Sequence, residues 1–158
     1  MVNMPKNQEN AKLLKNDKII GYTAGVFDLF HLGHVIHLRN AKAMCDYLIV
    51  GVSSDDLIKN IKQKKNIMDY YHRSEVVKSC RYVDLVVPQD DFDRVNVWEK
   101  LKFDITFIGD DWINNEKWKE IASKLEKKGV RVVYFPYTKG VSSTTLKEIL
   151  NFNGVDKN

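Results

Sequence analysis

Residues 19–52 read IIGYTAGVFDLFHLGHVIHLRNAKAMCDYLIVGV, and this stretch decides the fold. Its first part, Ile19 to Gly25, is an apolar run that ends in glycine, as a buried strand does. From His34 to Cys45 the apolar residues Val35, Leu38, Ala41 and Met44 recur near the helical period, which predicts an amphipathic helix. Tyr47 to Val52 is again a continuous apolar run of strand length, the pattern of a parallel strand covered on both faces. Strand, helix and strand within so short a stretch make a βαβ unit. Between the first strand and the helix stand His31 and His34. Three residues apart at a helix start, they share one face, a turn apart. A helix start presents free backbone N–H groups and the positive end of the helix dipole. Two imidazoles added to such an end form a phosphate site.

Working outward, the alternation continues. Asp55 to Lys65 begins as a short helix and runs into the lysine-rich stretch Lys62-Gln63-Lys64-Lys65. A helix over His72–Cys80 follows, then a strand over Val83–Pro88 that the proline stops. Next come a helix over Val95–Lys102, a strand over Ile105–Gly109 and a helix over Asn115–Lys128. That last helix carries Trp118, Ile121, Ala122 and Leu125 on one side and is ended by Gly129. A fifth strand spans Arg131–Phe135, and Ser142 caps a last helix over Ser143–Leu150. Strict alternation predicts a single-domain α/β fold, a doubly wound, Rossmann-like parallel sheet of five strands. In such sheets ligands bind beyond the C-terminal strand ends, at the switch point. Residues 1–17 read as a polar, flexible arm with at most a short helix around Ala11–Lys15, 18–150 as the domain and 151–158 as a tail.

Composition narrows the function classes. Of 158 residues, 44% are apolar and 29% charged, ordinary for a globular protein, and the net charge of +4 suits a polyanionic small molecule. No basic patch interleaved with aromatics argues for nucleic acid. No apolar run reaches the length of a membrane span, and the N-terminus has no hydrophobic signal core. Cys45 and Cys80 lack metal-ligand spacing and lie in apolar stretches. They are expected as buried free thiols in a reducing, cytoplasmic setting. A zinc site needs three or four ligands. His37, one turn beyond His34, is read as facing the sheet or solvent, so no metal site on the protein is expected.

Four segments carry a resemblance that covers about residues 18–150. They are His31-Leu32-Gly33-His34, Arg81-Tyr82-Val83-Asp84, Phe107-Ile108-Gly109-Asp110-Asp111-Trp112, and Gly140-Val141-Ser142-Ser143-Thr144. The last is similar to an R-T-E-G-I-S-T-T signature. The chain resembles the HxGH-type nucleotidyltransferases, and within them the cytidylyltransferases. The resemblance implies the nucleotidyltransferase type of sheet and transfer of a cytidylyl group from CTP to a small phosphorylated acceptor. Glycerol 3-phosphate is favoured as acceptor, and Mg²⁺ is expected on the triphosphate. It implies catalytic roles for His31, His34, Lys62 and Arg81. It implies nucleotide binding by Ala24, Gly25, Val26, Phe27, Gly33, Lys64, Arg73, Gly109, Lys139, Val141, Ser142, Ser143 and Thr144. Asp28, Asp110, Asp111 and Trp112 are expected at the acceptor, with helix capping as the other role open to Asp28 and core packing as that open to Trp112. A homodimer is implied, with the Arg81–Asp84 region and the helix that follows the histidine motif near the interface.

The sequence departs from the family pattern at three points. Tyr137 stands where the signature has arginine, Lys139 where it has glutamate, and Val26 where threonine is common. A lysine is a point charge and does not replace the bidentate contacts of a guanidinium. These changes leave open other acceptors, such as phosphocholine or phosphoethanolamine, and an ATP-using adenylyltransferase. A nucleotide sensor without catalysis is a further alternative, against which the intact histidine pair speaks.

Overall fold

The computed structural model describes residues 17–62, 65–138, 140 and 142–152. Five parallel strands form one sheet: β1 (Ile20–Gly25), β2 (Tyr47–Ser53), β3 (Leu85–Gln89), β4 (Ile105–Gly109) and β5 (Arg131–Phe135). Their spatial order is β3-β2-β1-β4-β5. The chain starts in the middle, builds outward through β2 and β3, and then crosses back to add β4 on the other side of β1. The two halves therefore part between β1 and β4, and a crevice opens beyond the C-terminal ends of those strands.

Five helices cover the sheet: α1 (Leu32–Ala43), α2 (Tyr70–Lys78), α3 (Arg94–Leu101), α4 (Glu116–Lys127) and α5 (Ser143–Phe152). Alternation along the strands sends side chains to two separate cores. Leu48, Val50, Val52, Ile105 and Phe107 pack with Leu38 and Ala41 of α1 and Val77 of α2. Ile20, Tyr22, Ile49 and Ile108 pack on the other face with Trp118, Ile121 and Leu125 of α4. Both faces of the central strands are thus dry, which is why β2 reads as one unbroken apolar run. Arg94 lies inside the second core. It donates to Thr106 Oγ1 (2.8 Å) and Phe107 O (2.7 Å) and lies over the rings of Tyr22 and Trp118. Burial pulls its pKa down to about 10.

The expected strands are present, but both ends of β3 are corrected: it starts at Leu85 rather than Val83. Pro88 does not stop β3, which continues to Gln89, with Pro88 paired to Val52. Proline lacks an N–H, and an edge strand tolerates that loss. The helices shift more. Helix α1 begins at Leu32 rather than His34, because His31 is its N-cap. Helix α2 runs over Tyr70–Lys78 rather than His72–Cys80, capped by Asp69. The segment after β2 is one α turn (Asp55–Leu57) followed by a π turn (Ile58–Lys62). Gly129 ends α4 with φ +84, as its position implies. Cys45 and Cys80 are free but only partly buried. Among the described residues no helix is long and apolar enough to cross a membrane. Of the expected arm over residues 1–17, residues 1–16 lie outside the described residues, as do residues 153–158 of the tail.

Arg73 was expected at the nucleotide, and the structure gives it another task. It is fully buried, and its guanidinium donates to Met68 O, Val26 O and Ser53 O and to the Asp55 carboxylate, at 2.7 to 2.8 Å. All its bonds go to the loops that frame the crevice. Arg73→Met removes the guanidinium bonds to Val26 O and Ser53 O, and leaves Met68 O and the Asp55 carboxylate only their bonds from Asn66 and Tyr70. It is expected to destabilise the protein by about 3 kcal/mol, read as a lower midpoint in urea unfolding; an unchanged midpoint contradicts the bracing role.

Candidate active site

The loop from β1 to α1 makes the floor of the crevice. Phe27 and Leu29 both have left-handed backbones, with φ of +55 and +51. Such conformations are costly for side chains of this size, so the loop needs fastening. Asp28, between them, does this. Its carboxylate is only 2% exposed and accepts the N–H groups of Ile67 (2.7 Å) and Met68 (3.0 Å). It also pairs with Lys147 of α5 at 2.8 Å. Burial pushes its pKa up, but the bonds from Lys147, Ile67 and Met68 win and hold it below the usual carboxylate value. Asp28 was expected at the acceptor; in the structure its oxygens are engaged by the protein itself.

At the end of this loop the two histidines lock each other. His31 Nδ1 accepts the N–H of Gly33 at 3.0 Å, and His34 Nδ1 accepts the N–H of His31 at 3.1 Å. The pair is a reciprocal capping box, made here of imidazoles rather than the usual hydroxyl and carboxylate side chains. The rings lie 3.9 Å apart, with Phe27 and Phe30 each 5.3 Å from His34. Burial lowers the pKa of both. For His34, burial first and then the neighbouring His31 and His37 bring it down to about 4. Both imidazoles are therefore neutral near pH 7. A neutral imidazole whose Nδ1 accepts must carry its proton on Nε2. Each ring thus keeps one N–H donor, Nε2–H, that the capping box does not use.

The crevice is lined by Ala24, Gly25, Val26 and Phe27 from the first strand and its loop, by Gly33, His34 and His37 of α1 with the cap His31, and by Gly109 at the end of β4. Ser142, Ser143 and Thr144 line it from the start of α5. So most of the residues expected at the nucleotide converge here. The three hydroxyls differ in role. Ser142 Oγ caps α5 by accepting the Thr145 N–H at 3.0 Å, Ser143 Oγ donates to Asp28 O, and Thr144 is exposed.

Other expected residues are not brought together with the histidines. Arg81 is exposed after α2, where it donates to the Tyr82 hydroxyl and lies over its ring. Asp110, Asp111 and Trp112 form a 3-10 turn just after Gly109, with both carboxylates exposed. Trp112 is half-buried and its ring lies 5.2 Å from that of Phe92, so it packs. Lys62 ends the π turn, and its side chain lies outside the described residues, as do Lys64, Lys139 and Val141. Sequence reasoning passed over Phe135, Pro136 and Thr138, which line the crevice at and just beyond the end of β5; it noted Tyr137 only as a departure from the signature and read His37 as facing the sheet or solvent, and both line the crevice. The rule that ligands bind past strand ends applied to β5 as well, and a third histidine at the same spacing was the second available signal.

Over residues 22–149 the chain matches a family described as Cytidylyltransferase-like. It is 38% identical over 129 residues to a glycerol-3-phosphate cytidylyltransferase of Staphylococcus aureus, covering 81% of this chain and 92% of the relative. To the protein of that name from Bacillus subtilis it is 38% identical over 138 residues, covering 83% and 95%. Among solved structures, the lipopolysaccharide core biosynthesis protein from Thermoplasma volcanium GSS1 aligns with a TM-score of 0.64 at 28% identity, over 78% of this chain and 99% of that one.

The histidines set a pH dependence of stability. His34 and His37 each have a folded pKa near 4, against 6.5 as the ordinary value. Above pH 6.5 both are neutral folded and unfolded, and their contribution is fully present. As pH falls below that, the unfolded chain takes up protons that the folded one refuses, so stability is lost towards pH 4. Unfolding near pH 5 is expected to take up about two protons through these sites, and about one in His34→Gln. Asp28 and Asp55, with lowered pKa, act in the same direction but only nearer pH 4 and below. Urea unfolding at pH 5 to 7 measures this; a flat profile contradicts it. The match of nearly the whole sheet, with the histidine-capped helix start at its switch point, places the chain in the cytidylyltransferase-like family.

Proposed function

We propose that this site transfers a cytidylyl group from CTP to a small phosphorylated acceptor, with glycerol 3-phosphate the preferred one. An acceptor phosphate oxygen attacks the α-phosphorus in line, the bond to the β-phosphate oxygen breaks, and pyrophosphate leaves. Such displacements depend on alignment and charge neutralisation more than on covalent help. The observation that carries this reading is the locked tautomer of the histidine pair. Two neutral Nε2–H donors, at a helix start that already favours anions, suit phosphate oxygens whose charge grows in the transition state. The names of the two bacterial relatives support the nucleotide and the acceptor.

Mg²⁺ enters this reading as part of the substrate. Among the described residues no three histidine, cysteine or carboxylate side chains converge to hold a cation. Asp28, the acid of the β1–α1 loop, is occupied by Ile67, Met68 and Lys147. In this reading the ion is carried on the triphosphate.

Asp110 and Asp111, exposed just beyond Gly109, remain the proposed acceptor contacts. Lys62, Lys64 and Lys139 are assigned to the phosphates on family resemblance. Arg81 is exposed beside the β3 edge, which suits a homodimer formed through that face. The two free thiols suit a reducing cytoplasm.

Pyrophosphate release tests the reading, with CTP or ATP against glycerol 3-phosphate, phosphocholine and phosphoethanolamine. Release is expected with CTP and glycerol 3-phosphate; release with ATP in place of CTP overturns it. His31→Ala and His34→Ala are each expected to lower kcat by about a hundredfold or more. Near-normal turnover in either variant removes that histidine from the transition state.

A further inference from the structure

His37 is the third imidazole of the series, one turn beyond His34, so its Cα lies about 4.5 Å further along the α1 axis. Its hydrogen-bond pattern assigns its tautomer through a side-chain hydroxyl rather than through backbone N–H groups. Thr23 Oγ1 donates its one hydrogen to Phe107 O at 3.1 Å. The same oxygen lies 2.8 Å from His37 Nε2, and with the hydroxyl hydrogen placed on Phe107 O we assign the imidazole as the donor of that bond. Burial, and the Arg94 guanidinium beneath the sheet, bring the His37 pKa down to about 4, so the ring carries no second proton near pH 7. Nδ1 is then a lone-pair acceptor, and among the described residues it has no hydrogen-bond partner. His31 and His34 use Nδ1 internally and keep a donor; His37 uses its donor internally and keeps an acceptor.

The position of that acceptor matters. The crevice has a donor-rich end, at His31, His34 and the start of α5, and an apolar wall made by Phe135, Pro136 and Tyr137. His37 belongs to the second: its ring meets Phe135 edge-on at 5.4 Å. With phosphates at the donor end, the flat apolar wall is left for the base. We propose that His37 reads the base: its Nδ1 accepts a hydrogen bond from the exocyclic amino group of cytosine. Uracil has a carbonyl at that ring position, which would set two acceptors against each other. An acceptor that cannot rotate a hydrogen into place discriminates where a hydroxyl does not. This assignment rests on the crevice being a CTP site.

The test is kcat/KM for CTP and UTP in the wild type, His37→Leu and His37→Gln, with 2′-deoxy-CTP as a control for the ribose. The wild type is expected to prefer CTP. His37→Leu is expected to reduce the CTP:UTP ratio by roughly tenfold to a hundredfold. His37→Gln is expected to recover part of it, because its amide can donate to Thr23 and still present an oxygen to the base. A His37→Leu ratio equal to that of the wild type overturns the proposal. So does a loss confined to the ratio of CTP to 2′-deoxy-CTP, which would put Nδ1 on the sugar. A wild type that uses ATP and not CTP refutes the nucleotide reading of the whole site instead, and the two failures are thereby distinct. Thermal unfolding of each variant shows whether the fold persists, and the glutamine variant keeps the test decisive if leucine at this position does not fold.

Discussion

A carboxylate that water scarcely reaches holds the working end of this protein together. Asp28 lies between two residues with left-handed backbones, Phe27 and Leu29. It binds amide groups at positions 67 and 68 and the ammonium of Lys147, while its own carbonyl accepts from Ser143. Three stretches far apart in sequence are thereby fixed to one another: the loop bearing the histidines, the segment leading into α2, and the helix bearing the hydroxyls. Each strained residue costs about 1 to 3 kcal/mol, and the charge-assisted bonds of Asp28 offset that cost. Arg73 braces the same loops from below, holding the carbonyls of Val26, Ser53 and Met68. An anion and a cation thus clamp one frame.

That division of labour explains why the pocket wall relies on neutral imidazoles. A charged histidine in a half-buried setting beside two others would be repelled and poorly solvated, and the lowered pKa values express this. A neutral ring with one nitrogen tied to the backbone is a donor or an acceptor of fixed kind. Three rings along one helix face therefore present two donors and one acceptor, set by which nitrogen the protein has already used.

Much of this was legible in the chain. β4 and β5 begin and end where they were read, and β2 extends one residue beyond its run; β2 and β4 stand out because strands covered on both faces are almost wholly apolar. The His31–His34 pair at a strand end gave the site. What the sequence hid were contacts whose partners are remote. Nothing local to Arg73 tells that it will meet carbonyls at Val26 and Ser53, so an arginine near a phosphate motif reads as a phosphate ligand. The partners of Asp28 were hidden for the same reason, since they stand 39 to 119 positions away. The start of α1 shifted because histidine is a rare cap, and capping is inferred from Ser, Thr, Asp and Asn.

The strand order has a consequence for how the molecule comes into being. β1, first in the sequence, is central, and its second neighbour β4 joins it only through pairs such as Gly21 with Ile105. During synthesis β1, α1 and β2 can associate as soon as they emerge, since their contacts are close in sequence. The histidine-capped helix start is then present, but Gly109 and the wall beyond β5 are not. Until the later half of the chain is made, one edge of the central strand stands open, a template for pairing with another chain. Catalytic competence is thus among the last properties to be acquired, after β4 has covered the open edge of β1.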